Sequence, residues 1–181
     1  MLMRFVIFLL GIGFVACQSA TEPPAVELLP SHDYTYVDVT PADLAYREAV
    51  YVPIYSDIYY MDGTRRFLLT ATLSIRNTSL TDSLYVTHVD YYDSQGELTR
   101  TYLEQTALVK PMASLEFVVE DAEHRGGAGA NFLVRWGTRA ASAQPVIQAV
   151  MIGARSQQGI SFLTEGVVIE RDSTVQSPLP E

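Results

Sequence analysis

The chain has 181 residues, with 21 acidic and 12 basic side chains and a formal net charge of −9. This length is typical of one domain with a substantial core. The excess of acid argues against nucleic acid as a partner, and it would repel the anionic headgroups of a membrane surface. Composition therefore indicates a single acidic domain that binds neither of these polyanionic surfaces directly.

The first 16 residues have the organisation of a secretory signal peptide. A basic start that ends at Arg4 precedes an apolar run from Phe5 to Phe14, and the small residue Ala16 follows. The run is shorter than the roughly 20 residues that a helix needs to cross a bilayer. We therefore expect residues 1–16 to be removed, which takes away one arginine and no acid and brings the net charge to −10.

The only cysteine of the chain, Cys17, lies directly after the expected cleavage site. Phe14, Val15 and Ala16 resemble the residues before the cysteine of a bacterial lipobox, although that motif prefers leucine where Phe14 stands. The resemblance implies that Cys17 is acylated and that the protein is a lipoprotein of the cell envelope. Two or more acyl chains on Cys17 would anchor it stably. By resemblance to a sorting rule of enteric bacteria, Gln18 implies the outer membrane, facing the periplasm, if the source is Gram-negative. The alternative is an ordinary signal peptide followed by a chance cysteine.

The rest of the chain divides into a linker, a folded domain and a tail. Residues 17–31 begin with the lipidated cysteine, contain three prolines and are typical of an extended linker. Residues 32–170 are the predicted domain, and residues 171–181, which are polar with two prolines, are predicted to be a frayed tail. Near the start of the domain, Thr40 followed by Pro41 is typical of the first turn of a short helix.

The domain is predicted to be all-β. From Phe67 to Ile75 every second residue is apolar, which places the side chains of this set on a core face. The same alternation occurs at residues 115–119 and 132–136, and turn residues separate further apolar segments at 84–93, 97–103, 146–154 and 160–170. Roughly seven to nine such strands predict a two-sheet antiparallel β-sandwich with an immunoglobulin-like topology, and a partly closed barrel is the alternative.

Tyrosines mark one candidate binding surface, since all 11 of them lie in the first 102 residues. An extended backbone places Tyr51, Tyr55 and Tyr59 on the same face. Pro53 lacks the amide that an inner strand uses, so the segment is predicted to be an edge strand with a tyrosine stripe. The stripe is either covered by residues 33–48 or exposed as a binding face for an envelope protein or a glycan.

A second candidate binding surface is a polar turn between two apolar segments, made of Arg155, Ser156, Gln157 and Gln158. Arginine and glutamine offer many hydrogen-bond donors to an anionic or amide-bearing partner. Asn131, at the end of a glycine-rich segment, would join this surface if both loops lie at one end of the sandwich. The alternative is that the turn and the segment Gly126–Gly129 are plain hairpin loops, the second of which needs a positive φ.

Motifs for metal, nucleotide or covalent chemistry are weak. His32, His88 and His124 lack the short spacing of a zinc site, and Asp90 and Asp93 lack the spacing of a calcium loop and predict an acidic turn instead. The glycine-rich segment precedes a strand, whereas a phosphate loop precedes a helix. Neither a G-x-S-x-G elbow nor an S-x-x-K motif occurs. We therefore predict no cofactor, no metal and no catalytic residue.

Five segments resemble a bacterial family of small envelope proteins known only as a domain of unknown function. They are, in order, Tyr51–Ser56, Leu73–Thr78, Val89–Ser94, Gly129–Phe132 and Met151–Ile160. The resemblance covers residues 48–170. It implies the boundaries of the domain and a lipoprotein address, and it implies no activity and no catalytic residue.

Two functions from different classes follow. The favoured one is a noncatalytic binding or accessory module held at the membrane, which suits a small sandwich on a linker. The alternative is a loop-sited hydrolase or a small-ligand sensor. A deep pocket lined by Arg155, Gln157 and Asn131 would favour the alternative, whereas a flat edge rich in tyrosine would favour the binding module.

Overall fold

The computed structural model describes residues 34–120, 126–140, 143–155 and 158–173, and for Arg155, Gln158 and Ser173 it describes the backbone alone. The chain separates into two units, Met1–His32 and Asp33–Glu181, and all described residues belong to the second. The predicted signal peptide, Cys17, the linker and the last eight residues therefore lie outside the described part of the chain. Among the described residues, no helix combines the length and the apolar character that crossing a membrane takes.

Within this part the chain forms one 3₁₀ turn, Pro41–Asp43, and twelve β-strands. The strands are β1 (Tyr46–Pro53), β2 (Asp57–Tyr60), β3 (Arg65–Leu68), β4 (Thr70–Arg76), β5 (Leu84–Tyr92), β6 (Leu98–Leu103), β7 (Ala107–Val109), β8 (Ser114–Val119), β9 (Asn131–Thr138), β10 (Val146–Arg155), β11 (Gln158–Glu165) and β12 (Val167–Ser173). The all-β prediction is confirmed.

The strands form two antiparallel sheets that pack as a sandwich. One sheet has the order β12-β1-β9-β5-β6, with β7 also paired to β5, and the other has the order β11-β10-β4-β8. Strands β2 and β3 form a separate hairpin. The described strands do not close into a barrel, so the sandwich prediction is confirmed over its alternative.

The four central strands are divided between the two sheets as they are in an immunoglobulin domain. Strand β4 pairs with β8 and strand β5 pairs with β9, and the connections from β4 to β5 and from β8 to β9 both cross between the sheets. In an immunoglobulin domain strands B and E share one sheet, while strands C and F share the other. The four central strands here have the same distribution.

The core lies between the sheets and follows the predicted alternation. Leu69, Ala71, Leu73 and Ile75 are fully buried, and Phe67 is half-buried. The apolar residues predicted for β8 and β9 are also buried, namely Leu115, Phe117, Val119, Phe132, Val134 and Trp136. Because burial of a large apolar side chain contributes about 1.5–3 kcal/mol, these alternating strands stabilise the whole sandwich.

The helix predicted at Thr40 is a single 3₁₀ turn. The amide and the hydroxyl of Thr40 both donate to the carboxylate of Asp43, at 2.8 and 2.7 Å. These hydrogen bonds hold the pKa of Asp43 below its usual value. The turn ends at once because Leu44 has an extended backbone, with φ −103 and ψ 126, that leads into β1.

The long apolar segment predicted at residues 160–170 is two strands in different sheets. Gly166 separates them, and a Cβ at this position would lie 2.5 Å from Cγ1 of Val50 and 3.1 Å from the carbonyl oxygen of Ile147. Only glycine therefore lets the chain pass so close to the core as it changes sheets. Strand β12 then continues to Ser173, beyond the predicted end of the domain at Glu170.

Candidate functional site

One end of the sandwich, which we call the loop end, carries the residues predicted for binding. Asn131 pairs with Pro53 and Tyr92 at this end, and Arg155 pairs with Gln158 at the tip of the β10–β11 hairpin. The two sheets meet here, since the Leu69 amide donates to Ser56 while the Ser56 amide donates to Gly127. Asn131 and the backbone of Arg155 and Gln158, which flank the polar turn, thus lie at the same end.

Whether they form one patch stays a prediction. Ser156 and Gln157 lie outside the described residues, and so do the side chains of Arg155 and Gln158. The described backbone meets the first condition for a shared surface, which is that both loops leave the same end of the sandwich.

The tyrosine stripe does not lie on an edge strand. Strand β1 is paired on both sides, with β12 and with β9, so the edge-strand prediction is wrong. Pro53 is accommodated because the pairing with β12 already ends at Tyr51, opposite Val167. The chain leaves β1 after Pro53 and begins β2 at Asp57, so Tyr59 lies on a different strand from Tyr51.

The three tyrosines consequently have different surroundings. Tyr51 is half-buried on β1, and Tyr55 packs edge-on against Phe162 of β11 with ring centroids 5.6 Å apart. Tyr55 therefore packs on β11, whereas the two alternatives from the sequence were a cover formed by residues 33–48 and an exposed binding face. Tyr59 is 56% exposed, and the guanidinium of Arg66 lies 5.0 Å from the centre of its ring. Of the three, Tyr59 alone offers an exposed ring to a partner.

A polar depression of about 320 Å³ lies beside Tyr59 at the loop end. Its lining includes Arg66, Ser94, Gln95 and the loop from Gly126 to Gly129. Arg66 donates to the buried carboxylate of Asp57 and to the Tyr59 hydroxyl, both at 2.9 Å. The hydrogen bond to Tyr59 and the charge of Asp57 raise the pKa of Arg66. Arg66 is therefore held by its own neighbours and its charge is balanced.

The glycine-rich loop is not the predicted hairpin. It joins β8 to β9, which belong to different sheets, so it crosses the loop end. The predicted positive φ is present at Gly127, where φ is 75. Ser94 holds the loop, because its hydroxyl donates to the Gly126 carbonyl at 2.7 Å and accepts from the Gly129 amide at 2.9 Å.

The acidic turn predicted at Asp93 is confirmed. The Asp93 carboxylate accepts the amides of Gln95 and Glu97 at 2.8 and 2.9 Å, which closes the β5–β6 hairpin. In the part of the chain that the structure describes, no three His, Cys, Asp or Glu residues group in a way that could hold a metal ion. His88 is exposed on β5, and His32 and His124 lie outside that part.

A surface that the sequence analysis missed is the outward side of β11, which we call the open edge. Strand β11 is the last strand of its sheet. The Gly166 amide donates to the Ile147 carbonyl at 2.9 Å, and the same register continues along the hairpin. Because hydrogen bonds alternate along an antiparallel pair, the amides of Ser161 and Leu163 face away from β10. They have no strand partner among the described residues.

The other end strands of the two sheets, β6, β8 and β12, carry features that hinder pairing, although Val167, Val168 and Ile169 of β12 are exposed. On β8, the hydroxyls of Tyr34 and Tyr102 donate to the carbonyls of Glu116 and Val118, at 2.7 and 2.9 Å. Such contacts occupy the groups that a foreign strand would use.

Strands β6 and β12 are protected by irregular pairing and by charge. Strand β6 has two register shifts against β5 and carries Arg100, and β12 has a register shift against β1 followed by Glu170, Arg171 and Asp172. Strand β11 pairs regularly over its whole length and contains neither proline nor a basic residue. Long unprotected edges of this kind are sites of strand pairing.

An apolar surface continues from the open edge across the outer face of its sheet. Directly paired positions form a row over all four strands, namely Leu163, Val150, Thr72 and Val118. Leu163 is 48% exposed, and Ile152 beside the row is 52% exposed. The sequence carried a signal for this surface, since apolar residues occupy both alternating sets from Val146 to Ile152. Such a segment has an apolar side chain on each face of its sheet.

In the part of the chain that the structure describes, the fold and these surfaces define an antiparallel β-sandwich domain with β11 as its open edge. The profile of a family described as "Protein of unknown function (DUF3124)" matches residues 47–169, so the chain belongs to this family. The predicted resemblance to a domain of unknown function is thereby confirmed. No curated protein shows significant similarity to the chain. A solved structure titled "Crystal Structure of Thermotoga maritima 1070" is similar at 13% identity with a TM-score of 0.38, over 66% of this chain and 92% of that one.

Proposed function

We propose that the protein is a lipoprotein of the cell envelope, anchored through acylated Cys17, and that its sandwich is a noncatalytic module that binds a partner protein by strand addition at the open edge. The lipobox resemblance at Phe14–Cys17 supports the address. The single observation that carries the binding role is the contrast between β11 and the protected strands β6, β8 and β12.

The chemistry of the open edge selects an extended protein strand as its partner. Ser161 and Leu163 present an amide and a carbonyl at every second residue, and an added strand pairs with groups at this spacing. Leu163 and the apolar row behind it offer contacts to alternate side chains of that strand. A glycan would match neither the spacing of the amides nor the apolar row, so the open edge favours a protein over a glycan.

The linker gives the module its reach. Residues 17–31 span at most about 50 Å when fully extended, and the acidic domain is repelled by anionic headgroups. The open edge therefore stands away from the membrane, where it meets proteins of the same envelope compartment. If the source is Gram-negative, we place the protein in the outer membrane, facing the periplasm.

The polar turn belongs to the same surface in this proposal. Gln158 is the first residue of β11, and a strand added to the open edge would pass the turn at its end. We assign Arg155, Ser156, Gln157 and Gln158, with Asn131 from the loop end, to contacts with polar groups beyond the added strand. Long side chains with several donors suit such contacts.

Replacing Ser161 with proline tests strand addition. Proline removes the outward amide of residue 161 and is tolerated on an edge strand where that amide faces solvent. The loss of about 1.4 kcal/mol from one hydrogen bond corresponds to a tenfold weaker interaction. When the partner is crosslinked to the protein in the envelope and purified with it, the amount recovered should therefore fall about tenfold.

Ser161→Ala is the matched control, because it removes the hydroxyl and keeps the amide. It should recover the partner as the natural protein does, and both variants should keep a melting temperature within a few degrees of the natural value. Equal recovery with Ser161→Pro and Ser161→Ala would refute strand addition at this edge.

A further inference from the structure

The outer face of the sheet that contains β10 carries an apolar surface behind the open edge. Val118 on β8 and Val150 and Ile152 on β10 are 46%, 36% and 52% exposed in the described part of the chain. Thr72 on β4 lies in register between Val118 and Val150, so the surface runs over three neighbouring strands. We call these four residues the sheet patch. An exposed and continuous apolar surface marks a contact with another segment or molecule.

The outer face of the other sheet is covered by the chain that leads into β1. Leu44 lies on that face and is 3% exposed. A Cβ at Gly137 of β9 would lie 2.8 Å from Cδ1 of Leu44, so the missing side chain lets Leu44 pack directly on the sheet. Nη1 of Arg47 on β1 donates to the Pro41 carbonyl at 3.1 Å and holds the same segment. The segment before the first strand therefore already covers one of the two outer faces.

The residues before this cover join the domain beside the sheet patch. Tyr34 is the first described residue, and its hydroxyl donates to the Glu116 carbonyl of β8 at 2.7 Å. Its ring packs on Phe117 with ring centroids 5.4 Å apart. These contacts fix the point where residues 17–33 meet the fold. Val118, where the sheet patch begins, lies two residues beyond Glu116 on the same strand.

The linker contains an apolar segment close to this point. Four of the five residues from Ala25 to Leu29 are apolar, and a proline stands on either side. The residue before a proline favours an extended backbone. On such a backbone the side chains of Val26 and Leu28 would point to one side, and the charged Glu27 would point to the other. These five residues, which we call the linker segment, can therefore bury an apolar side and keep their only charge in water.

We propose that the linker segment lies across the sheet patch and covers it. Leu29 is five residues before Tyr34, and five residues span up to about 17 Å. That span is enough to reach Val118 from the contact of Tyr34 with Glu116. The patch is two strand spacings wide, or about 10 Å, and five extended residues match this width. The apolar side of the linker segment then contacts the two valines and the isoleucine of the patch.

A tethered segment has an advantage over a free occupant of the patch. A short flexible linker gives the segment an effective concentration in the millimolar range. Residues 174–181 also belong to this chain, but they follow β12, the end strand of the other sheet. They begin on the side of the sandwich opposite β8, because β12 lies next to β1 and β1 contacts β10 and β11. The linker segment is therefore the part of the chain best placed to cover the patch.

Docking of the linker segment sets the reach of the module, a consequence that rests on the proposed anchor at Cys17. With the segment docked, only residues 17–24 stay free, and these eight residues span at most about 28 Å. The free linker spans about 50 Å. The docked state holds the domain closer to the membrane, and release of the segment gives the full reach. Leu163 lies beyond the patch on β11, so the open edge stays accessible in both states.

A photo-reactive phenylalanine in place of Val150, in intact cells that make the full chain, tests the docking. Cleavage of the purified protein at acidic residues separates the linker segment from the domain, because Glu22 and Asp33 lie on either side of it. We expect a crosslink within one chain between position 150 and residues 23–33. The same probe in place of His88, on the other sheet, should give none. A strand added at the open edge gives instead an adduct of greater mass, so the two proposals are distinguished.

Variants of the linker show whether the apolar side makes the contact. Leu28→Asp should reduce the yield of this crosslink at least about tenfold, because a charge would replace an apolar side chain on the patch. Thr21→Asp adds the same charge outside the linker segment and should keep the full yield. Equal yields from the two variants, no crosslink from position 150, or a crosslink from it only to residues 174–181, another protein or lipid would overturn the proposal. Partner recovery with Ser161→Ala and Ser161→Pro is independent of these outcomes.

Discussion

Replacing Cys17 with serine is expected to abolish lipid labelling of the protein. Cys17 is the only cysteine, and a serine hydroxyl cannot take the thioether-linked lipid. Two or more acyl chains hold a protein stably at the membrane, because each buried methylene contributes about 0.8 kcal/mol. Without Cys17 both the lipid label and the membrane anchoring should be lost completely. Metabolic labelling with a fatty acid analogue, followed by membrane fractionation, measures it.

Ser19→Ala controls for changes next to the cleavage site, since it alters the same segment without touching the cysteine. It should keep full labelling, whereas Cys17→Ser should leave either the unprocessed precursor or unanchored protein. Labelling of Cys17→Ser at the natural level would show that the anchor assignment is wrong.

The second large effect is expected from Gly126→Ala. A Cβ at Gly126 would lie 1.7 Å from the Tyr91 hydroxyl oxygen and 2.9 Å from Oγ of Ser56. Tyr91 is 1% exposed and packs against Phe132 with ring centroids 5.4 Å apart, so its ring has no room to move away. Overpacking of this kind costs about 1–3 kcal/mol or more, and the midpoint of urea unfolding measures the loss.

Gly129→Ala is the matched control in the same loop. A Cβ at Gly129 would lie 3.3 Å from Oγ of Ser94, and the position has no positive φ. We expect its unfolding midpoint to stay close to that of the natural protein. If Gly126→Ala were as stable as Gly129→Ala, the loop would be free to shift, and the tight packing of Tyr91 beneath it would be refuted.

The sequence predicted the core better than it predicted the neighbours of each strand. Alternation is local, so Leu69, Ala71, Leu73 and Ile75 could be assigned to the core from their spacing alone. Strand pairing is not local, since Tyr46 of β1 pairs with Ser173 at the far end of the chain. The edge-strand prediction failed for this reason, because nothing near Pro53 indicates that β12 covers β1.

The binding surfaces were harder to predict for the same physical reason. A groove on the outer face of the sheet that contains β1 is lined by Leu44, Ala49, His88, Arg135 and Glu170, which only the pairing of four strands brings together. The open edge depends on the change of sheet at Gly166, and an isolated glycine within a strand pattern is the signal that could have located it.

The central claim is that the open edge pairs with a strand of another protein, and a photo-reactive phenylalanine in place of Leu163 tests it most directly in intact cells. Leu163 faces outward on β11, and the same probe in place of His88, on the other sheet, is the control. We predict one discrete adduct from position 163, retained in full with Ser161→Ala and reduced about tenfold with Ser161→Pro. An adduct of undiminished yield with Ser161→Pro, or the same adduct from position 88, would contradict pairing at the open edge.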